Sequence, residues 1–241
     1  MRTQHLILSL CMHHLARAQV IIADGSSHAP ASGALRVPQN LSHEACGASV
    51  LEFGAVGDGV HDDTGPIQAA LNSGKSLYVP QGTFLITAAL LLNTTGQTLR
   101  GAGPESVFLT TADIETMYTN APVASVTLSD LSFKNTVSEK ITGPTHFHIH
   151  FGPDTSSTNI QNCEFHTALT GNVVRNTHHA GVWFEGANLN NIWDCVFNQA
   201  QILMGSTDST IRGGFVYAFT FQYAIQIASA GEVVPPPLKN L

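Results

Sequence analysis

One six-residue pattern of apolar and polar positions recurs along the chain: apolar, variable, turn residue, apolar or small, variable, apolar. It reads Leu128-Ser129-Asp130-Leu131-Ser132-Phe133, then Ile160-Gln161-Asn162-Cys163-Glu164-Phe165, then Ile192-Trp193-Asp194-Cys195-Val196-Phe197. These copies start 32 residues apart. A degraded copy, Ile211-Arg212-Gly213-Gly214-Phe215-Val216, starts 19 residues after Ile192, and an earlier one, Leu99-Arg100-Gly101-Ala102-Gly103, starts 29 residues before Leu128. Repeats of this length predict a solenoid in which each copy is one coil stacked on its neighbours. The uneven spacing places insertions in loops and leaves the pattern itself intact. Its third position is Gly101, Asp130, Asn162, Asp194 or Gly213. All are residue types that tolerate left-handed backbone, so the column reads as a sharp bend between two short strands, stacked at about 4.8 Å per coil. Asp130 and Asp194 would then stand two coils apart, near the separation of an inverting carboxylate pair, but the backbone already accounts for both. Cys163 and Cys195 share an inward position in successive coils. Stacked free thiols are expected there, although the spacing also permits a disulfide.

The opening stretch predicts a cap. Ser49-Val50-Leu51-Glu52-Phe53 reads as a strand, and Gly54 with Gly57-Asp58-Gly59 as a tight turn. Asp62, Asp63 and Thr64 are helix N-cap types, Pro66 suits the first turn, and Ile67, Ala70 and Leu71 fall on one helical face that ends at Gly74. Ser76–Pro80 and Thr83–Thr87 read as strands. Asp58, Asp62 and Asp63 sit where turns and a helix start need acceptors, which favours structure over catalysis.

The run Phe53-Gly54-Ala55-Val56-Gly57-Asp58-Gly59-Val60-His61-Asp62-Asp63-Thr64, with Ile67-Gln68-Ala69-Ala70 and Val79-Pro80-Gln81-Gly82-Thr83-Phe84, resembles the opening of the pectate-lyase-like superfamily. That group includes rhamnogalacturonase- and epimerase-like proteins and many phage tailspikes. The resemblance spans residues 49–103. It implies an all-β, right-handed parallel β-helix with a short N-terminal capping helix, and it fixes no reaction. The polygalacturonase-like signature of clustered aspartates, Gly-His-Gly and Arg-x-Lys is absent. No acidic cluster resembles a calcium site. Gly101-Ala102-Gly103 lacks the further glycine of a dinucleotide loop, and no G-x-S-x-G nucleophile motif occurs.

Composition agrees with strands and turns. Of 241 residues, 43% are hydrophobic, enough for a core, and 11% are charged, so the polar surface must be largely Thr, Asn, Ser and Gly. A net charge of −7 speaks against a nucleic-acid partner, and no apolar run is long enough to span a membrane. The four cysteines form no C-x-x-C pair, which removes a zinc ribbon or thioredoxin-like motif. Leu6–Met12 followed by Ala16-Arg17-Ala18 gives an expected secretory signal, and residues 20–48 an expected linker. A coil domain over 49–230 (the cap over 49–103) and a tail over 231–241, opened by Val233-Val234-Pro235-Pro236-Pro237, complete the expected organisation. Five or six coils fit between residues 76 and 230, few for a solenoid enzyme, which raises a truncated relative lacking a catalytic half as a further expectation.

A β-helix fills its interior, so a ligand must use an outer face. Strands after the long loops align as His146–Phe151, Val182–Glu185, Ile202–Met204 and Ile225–Ile227. Period-two alternation puts Phe147, Ile149, Val182, Phe184, Ile202 and Met204 inside and His146, His148 and His150 outside. Trp183 is expected beside His148, and Glu185 beside His150, with Leu203 and Gln226 continuing the Trp183 column. An exposed indole beside carboxylate and imidazoles suits a sugar groove. Glu185 is the candidate general acid or base and His150 its partner. Trp183, His148, Arg175, His178 and Gln201 are candidate sugar contacts, Arg175 for an anionic sugar. The alternative for Trp183 and Glu185 is contact with a neighbouring subunit. Glu164, His166 and Asp154 are weaker candidates. A metal on His-x-His-x-His is possible but disfavoured, because alternate residues lie roughly 6.8 Å apart, and no cofactor is expected.

The reading that follows is an extracellular polysaccharide hydrolase or lyase acting on a surface or cell-wall glycan. In a tailspike-like form it would be virion-associated and homotrimeric. Its rival is a non-catalytic glycan-binding or structural appendage on the same fold.

Overall fold

The computed structural model describes residues 47–112, 114–136, 145–167, 178–198, 200–205, 208–217 and 225–227. The expected signal and tail, and the expected linker up to residue 46, lie outside them. From Ala48 the chain winds into an all-β right-handed parallel β-helix with a short capping helix. Among the described residues, two sheets of seven strands and one of six run along it, all their ladders parallel, with a two-stranded fourth sheet at one corner. Each full coil crosses the first, second and third sheets in turn. The repeated pattern is the register itself: Leu77, Leu99, Leu128, Ile160, Ile192 and Ile211 are successive partners in the first sheet. All but Ile211, the last, are buried.

The second sheet carries an aromatic ladder. Phe84, Phe108, Phe133, Phe165 and Phe197 are register partners, with ring centroids 6.2, 5.4, 5.1 and 4.7 Å apart along the series. Identical inward positions one coil apart stack the rings from Phe108 to Phe197 and leave Phe84 tilted at 38° to Phe108, and each aromatic pair adds about 0.5–1.5 kcal/mol beyond the area it buries. In the third sheet Leu90, Met117, Ile149, Val182 and Ile202 line the interior, and Phe151 stacks on Phe184 at 5.2 Å.

The bend between the first and second sheets matches the predicted column with one exception. Asp130, Asn162, Asp194 and Gly213 have φ of 56°, 51°, 51° and 68°. Asn162 Nδ2–H donates to Asp130 Oδ1 at 2.6 Å, and Arg100 lies 3.4 Å from the same carboxylate. Asp130 is therefore committed to the turn. Gly101 differs: it lies within the strand Thr98–Gly101, and a Cβ there would sit 1.9 Å from the Asp130 carbonyl oxygen. Glycine is needed at 101 for a close backbone approach, not for left-handed backbone. Cys163 and Cys195 are buried free thiols, with Cys163 N–H directed at Cys195 Sγ at 3.5 Å. Burial pushes the Cys163 thiol up.

In the cap, the expected strand 49–53 is a strand only at Ala48–Ser49. Val50–Phe53 forms a 3₁₀ turn instead. A reciprocal capping box explains this: Ser49 Oγ accepts from Leu51 N–H at 3.3 Å, and Glu52 Oε1 accepts from Ser49 N–H at 3.1 Å. The helix Thr64–Asn72 buries Ile67, Ala70 and Leu71 in the core. The three aspartates are structural. Asp63, 1% exposed, accepts from Val56 N–H at 2.6 Å and Gly57 N–H at 3.1 Å. Asp62 holds Thr64 and Thr87, and Asp58 holds Val60 and His61.

Candidate functional site

The site lies on the third sheet, and an irregularity in its strands decides what faces out. Strict alternation along Thr145–Phe151 would put His148 outside. His148 is instead fully buried, its ring 6.3 Å from Phe133 and 6.1 Å from Phe165, next to inward Ile149. Two consecutive inward residues mean one extra residue in the strand, a bulge. The following coil carries the same extra residue as Gly181, where a Cβ would meet Phe197 Cδ1 at 2.6 Å. One coil further on the register shifts, Ala180 pairing with Gln201 and Val182 with Ile202, so the extra residue is gone. A Cβ at 181 would strike Phe197 and approach the Phe165 Cβ, so glycine is needed where the bulge continues into this coil.

The bulge turns Phe147 outward, where the sequence pattern put it inside. Phe147 and Leu203 are buried together with Trp183 packed against them, in a cluster separate from the interior core. It also moves the neighbours of Trp183. Its register partner is His150, not His148, with Leu203 on its other side. The His150 and Trp183 rings stack at 4.0 Å and 10°. One face of the indole is thus taken by imidazole, and the side chain as a whole is half-buried.

His150 is the centre of the arrangement. Its Nδ1 lies 3.1 Å from Glu115 Oε1 and its Nε2 lies 3.1 Å from Glu185 Oε2. A neutral imidazole has one N–H, so both contacts are hydrogen bonds only when the ring carries two protons or a carboxyl carries one. His150 is 16% exposed, Glu115 28% and Glu185 46%, so Glu185 is the member that meets solvent. An inverting glycosidase needs carboxylates about 6.5–9.5 Å apart with space between them for water and the bond. Here the imidazole fills that space, and Glu115 with Glu185 is not such a pair.

Of the residues singled out from sequence, His150, Trp183 and Glu185 come together. His148 is withdrawn from the sugar-contacting set because it is inside. The same inversion sets His148 and His150 on opposite faces, so the His-x-His-x-His chelate does not form. Arg175 and the side chains of His146, His178 and Gln201 lie outside the described residues. Glu164 and His166 pair at 2.9 Å on the second sheet, and Asp154 is exposed in a turn. Glu115 was not foreseen. It precedes the strand Met117–Tyr118, whose Tyr118 is the register partner of His150. Two residues show no alternation, so only coil-to-coil alignment could have found it. No group of three His, Cys, Asp or Glu among the described residues could hold a metal.

The sequence pattern of the family described as rhamnogalacturonase A/epimerase, pectate lyase-like, matches residues 47–234. The preneck appendage protein of Bacillus phage PZA is 40% identical over 63 residues, 26% of this chain and 7% of that protein. Plasmin and fibronectin-binding protein A of Streptococcus pneumoniae is 42% identical over 50 residues, 18% of this chain and 7% of that protein. Among solved structures, PfbA, a surface adhesin of Streptococcus pneumoniae, superposes with a TM-score of 0.59 at 15% identity, covering 77% of this chain and 53% of that one. Gene product 12 of bacteriophage phi29 does so with a TM-score of 0.50 at 19% identity, covering 69% and 29%. At these identities the structural likeness establishes the fold alone. Among the described residues no helix is long and apolar enough to cross a membrane.

Proposed function

Because the chain belongs to the rhamnogalacturonase A/epimerase, pectate lyase-like family, we propose that it is a glycan-contacting β-helix working outside the cell or on a virion. The outer face of its third sheet is the contact surface. The observation that carries this reading is the imidazole of His150, held at both nitrogens by Glu115 and Glu185 and stacked on the half-buried Trp183. Fixed polar groups next to a partly exposed aromatic ring match a sugar, which presents hydroxyls and C–H faces together. Preorganisation lowers the cost of ordering the site on binding. The relative named as a phage preneck appendage protein supports a role at a surface.

A second reading, polysaccharide cleavage, is favoured by one feature of the same trio. Glu115 orients one ring nitrogen and leaves the other directed at the exposed carboxylate of Glu185, the arrangement of a base positioned by an acid. In that reading His150 and Glu185 move the proton, and Glu115 is a positioning residue. Binding and product release measured together over a panel of bacterial and plant polysaccharides separate the two. Binding without new reducing ends or unsaturated uronate supports the contact role. Product that disappears in Glu185→Gln supports cleavage at this site. No binding and no product with any glycan overturns both.

A further inference from the structure

Cys163 and Cys195 hold the same position in successive coils, each directly after a left-handed bend residue, Asn162 or Asp194. Their flanks are register partners: Gln161 pairs with Trp193 before the bend, and Glu164 with Val196 after it. Such positions in parallel strands stand about 4.8 Å apart, inside the range of about 4.4–6.8 Å between the Cα atoms of a disulfide. The sulfur contacts are more specific than the spacing. Cys163 N–H points at Cys195 Sγ at 3.5 Å, and the Cys195 thiol lies 3.7 Å from the Ile160 carbonyl oxygen, on the coil of Cys163. The Cys163 thiol makes the equivalent contact one coil back, 3.7 Å from the Leu128 carbonyl oxygen. Cys195 Sγ therefore already leans towards Cys163, and rotation about the Cys163 Cα–Cβ bond turns the second sulfur to meet it. The two thiols also differ in acidity. The hydrogen bond from the Cys163 side chain lowers the Cys195 thiol, whereas burial pushes Cys163 up. The next coil sets Gly214 against Cys195 and so covers it with backbone alone.

We propose that Cys163 and Cys195 are a redox pair, which a small-molecule disulfide such as oxidised glutathione converts into an inter-coil disulfide. The Cys195 thiolate, the more readily formed, attacks one sulfur of the oxidant and expels the other half as a thiolate. Cys163 then gives up its proton, and its sulfur attacks Cys195 Sγ and expels the second half. Two protein thiols are oxidised, and one small disulfide is reduced to two thiols that take up the released protons. The bond closes a 32-residue loop and removes freedom from the unfolded chain. It staples the coil that runs on to Trp183 to the coil that runs on to Leu203, so two members of the third-sheet patch are held in register from the opposite side of the interior. Oxidising surroundings outside a cell keep such a bond, and reducing ones open it. The step is independent of any glycan.

The test treats the reduced full chain with oxidised glutathione in native buffer and digests it without reductant. Trypsin separates the two thiols into the peptides Ile141–Arg175 and Asn176–Arg212. The expected product is this peptide pair, joined with the loss of two hydrogens and parted again by reductant. Oxidation should also raise the urea midpoint of the parent chain, a shift that Cys195→Ser removes. Cys163→Ala supplies a second variant should the first fail to fold. Absence of the joined pair, a glutathione adduct that persists on Cys195, linkage of either thiol to Cys11 or Cys46, or a joined pair formed only after denaturation overturns the proposal. So does a joined pair that leaves the urea midpoint unmoved.

Discussion

The imidazole of His150 lies flat on the indole of Trp183, ring centroids 4.0 Å apart and planes 10° from parallel. The two residues are register partners in adjacent coils, so the stack follows from strand pairing and not from chance side-chain placement. Removing the imidazole should uncover an indole face. In a Trp193→Phe background, His150→Ala should increase acrylamide quenching of Trp183 and lower stability by about 0.5–1.5 kcal/mol, the worth of an aromatic pair. Unchanged quenching would show that the face is not covered in solution.

The second-sheet aromatic ladder should be cooperative. Phe133 stacks on Phe108 at 5.4 Å and on Phe165 at 5.1 Å, and all three are buried. Phe133→Ala should cost about 3–5 kcal/mol in chemical denaturation. Because Phe165 loses a stacking partner in that variant, the double replacement with Phe165→Ala should cost less than the two single costs added. Strict additivity would mean that the rings do not couple.

Gly101 tests a close approach against a left-handed turn. A Cβ at 101 would lie 1.9 Å from the Asp130 carbonyl oxygen, so Gly101→Ala must push two coils apart. Overpacking typically costs about 1–3 kcal/mol, and a backbone obstacle belongs at the upper end. At Gly54, whose φ is 96° and where a Cβ meets nothing within 4 Å, alanine should bring backbone strain without a clash and cost less. Thermal melts of the two variants compare them directly.

The cap contains a pH-sensitive pair. Backbone N–H groups of His61 and Val60, together with the His61 side chain, lower the Asp58 carboxyl from 3.8 to about 2. The hydrogen bond to Asp58 raises His61 above 6.5. The Asp58 contribution is present above pH 3.8 and is lost as pH falls towards about 2. The His61 contribution is complete below pH 6.5 and is lost as pH rises through its elevated value. Following the His61 ring protons by NMR should therefore give a midpoint above 6.5 that returns towards the ordinary value in Asp58→Asn. An unshifted midpoint in the parent protein would remove the pair.

Much of this architecture was legible before folding. Leu128, Ile160 and Ile192 stand at a constant interval because each must reach the same interior column, and Asp130, Asn162 and Asp194 mark a bend that few residue types tolerate. Glu52 three residues after Ser49 was also a readable signal, although the β-prone residues around it pointed to a strand. The site was legible in its members His150, Trp183 and Glu185 but not in its geometry. Alternation counts residues on an even pleat, and the extra residue at His148 breaks that count without leaving a composition signal of its own.

The sequence alone determined the solenoid, the register of its first sheet and the turn column from Asp130 onward, because a repeat that buries the same face in every coil must show the same residue types at the same positions. Only the tertiary structure decided that His148 faces inward, that Phe147 faces outward and that Glu115 reaches His150. Each of those outcomes depends on a neighbouring coil: the glycine at 181 that carries the same extra residue, the register shift at Gln201, and the pairing of Tyr118 with His150. Side-chain direction on a coil is set by what the next coil leaves room for, and a linear pattern carries that information only where the coils are regular.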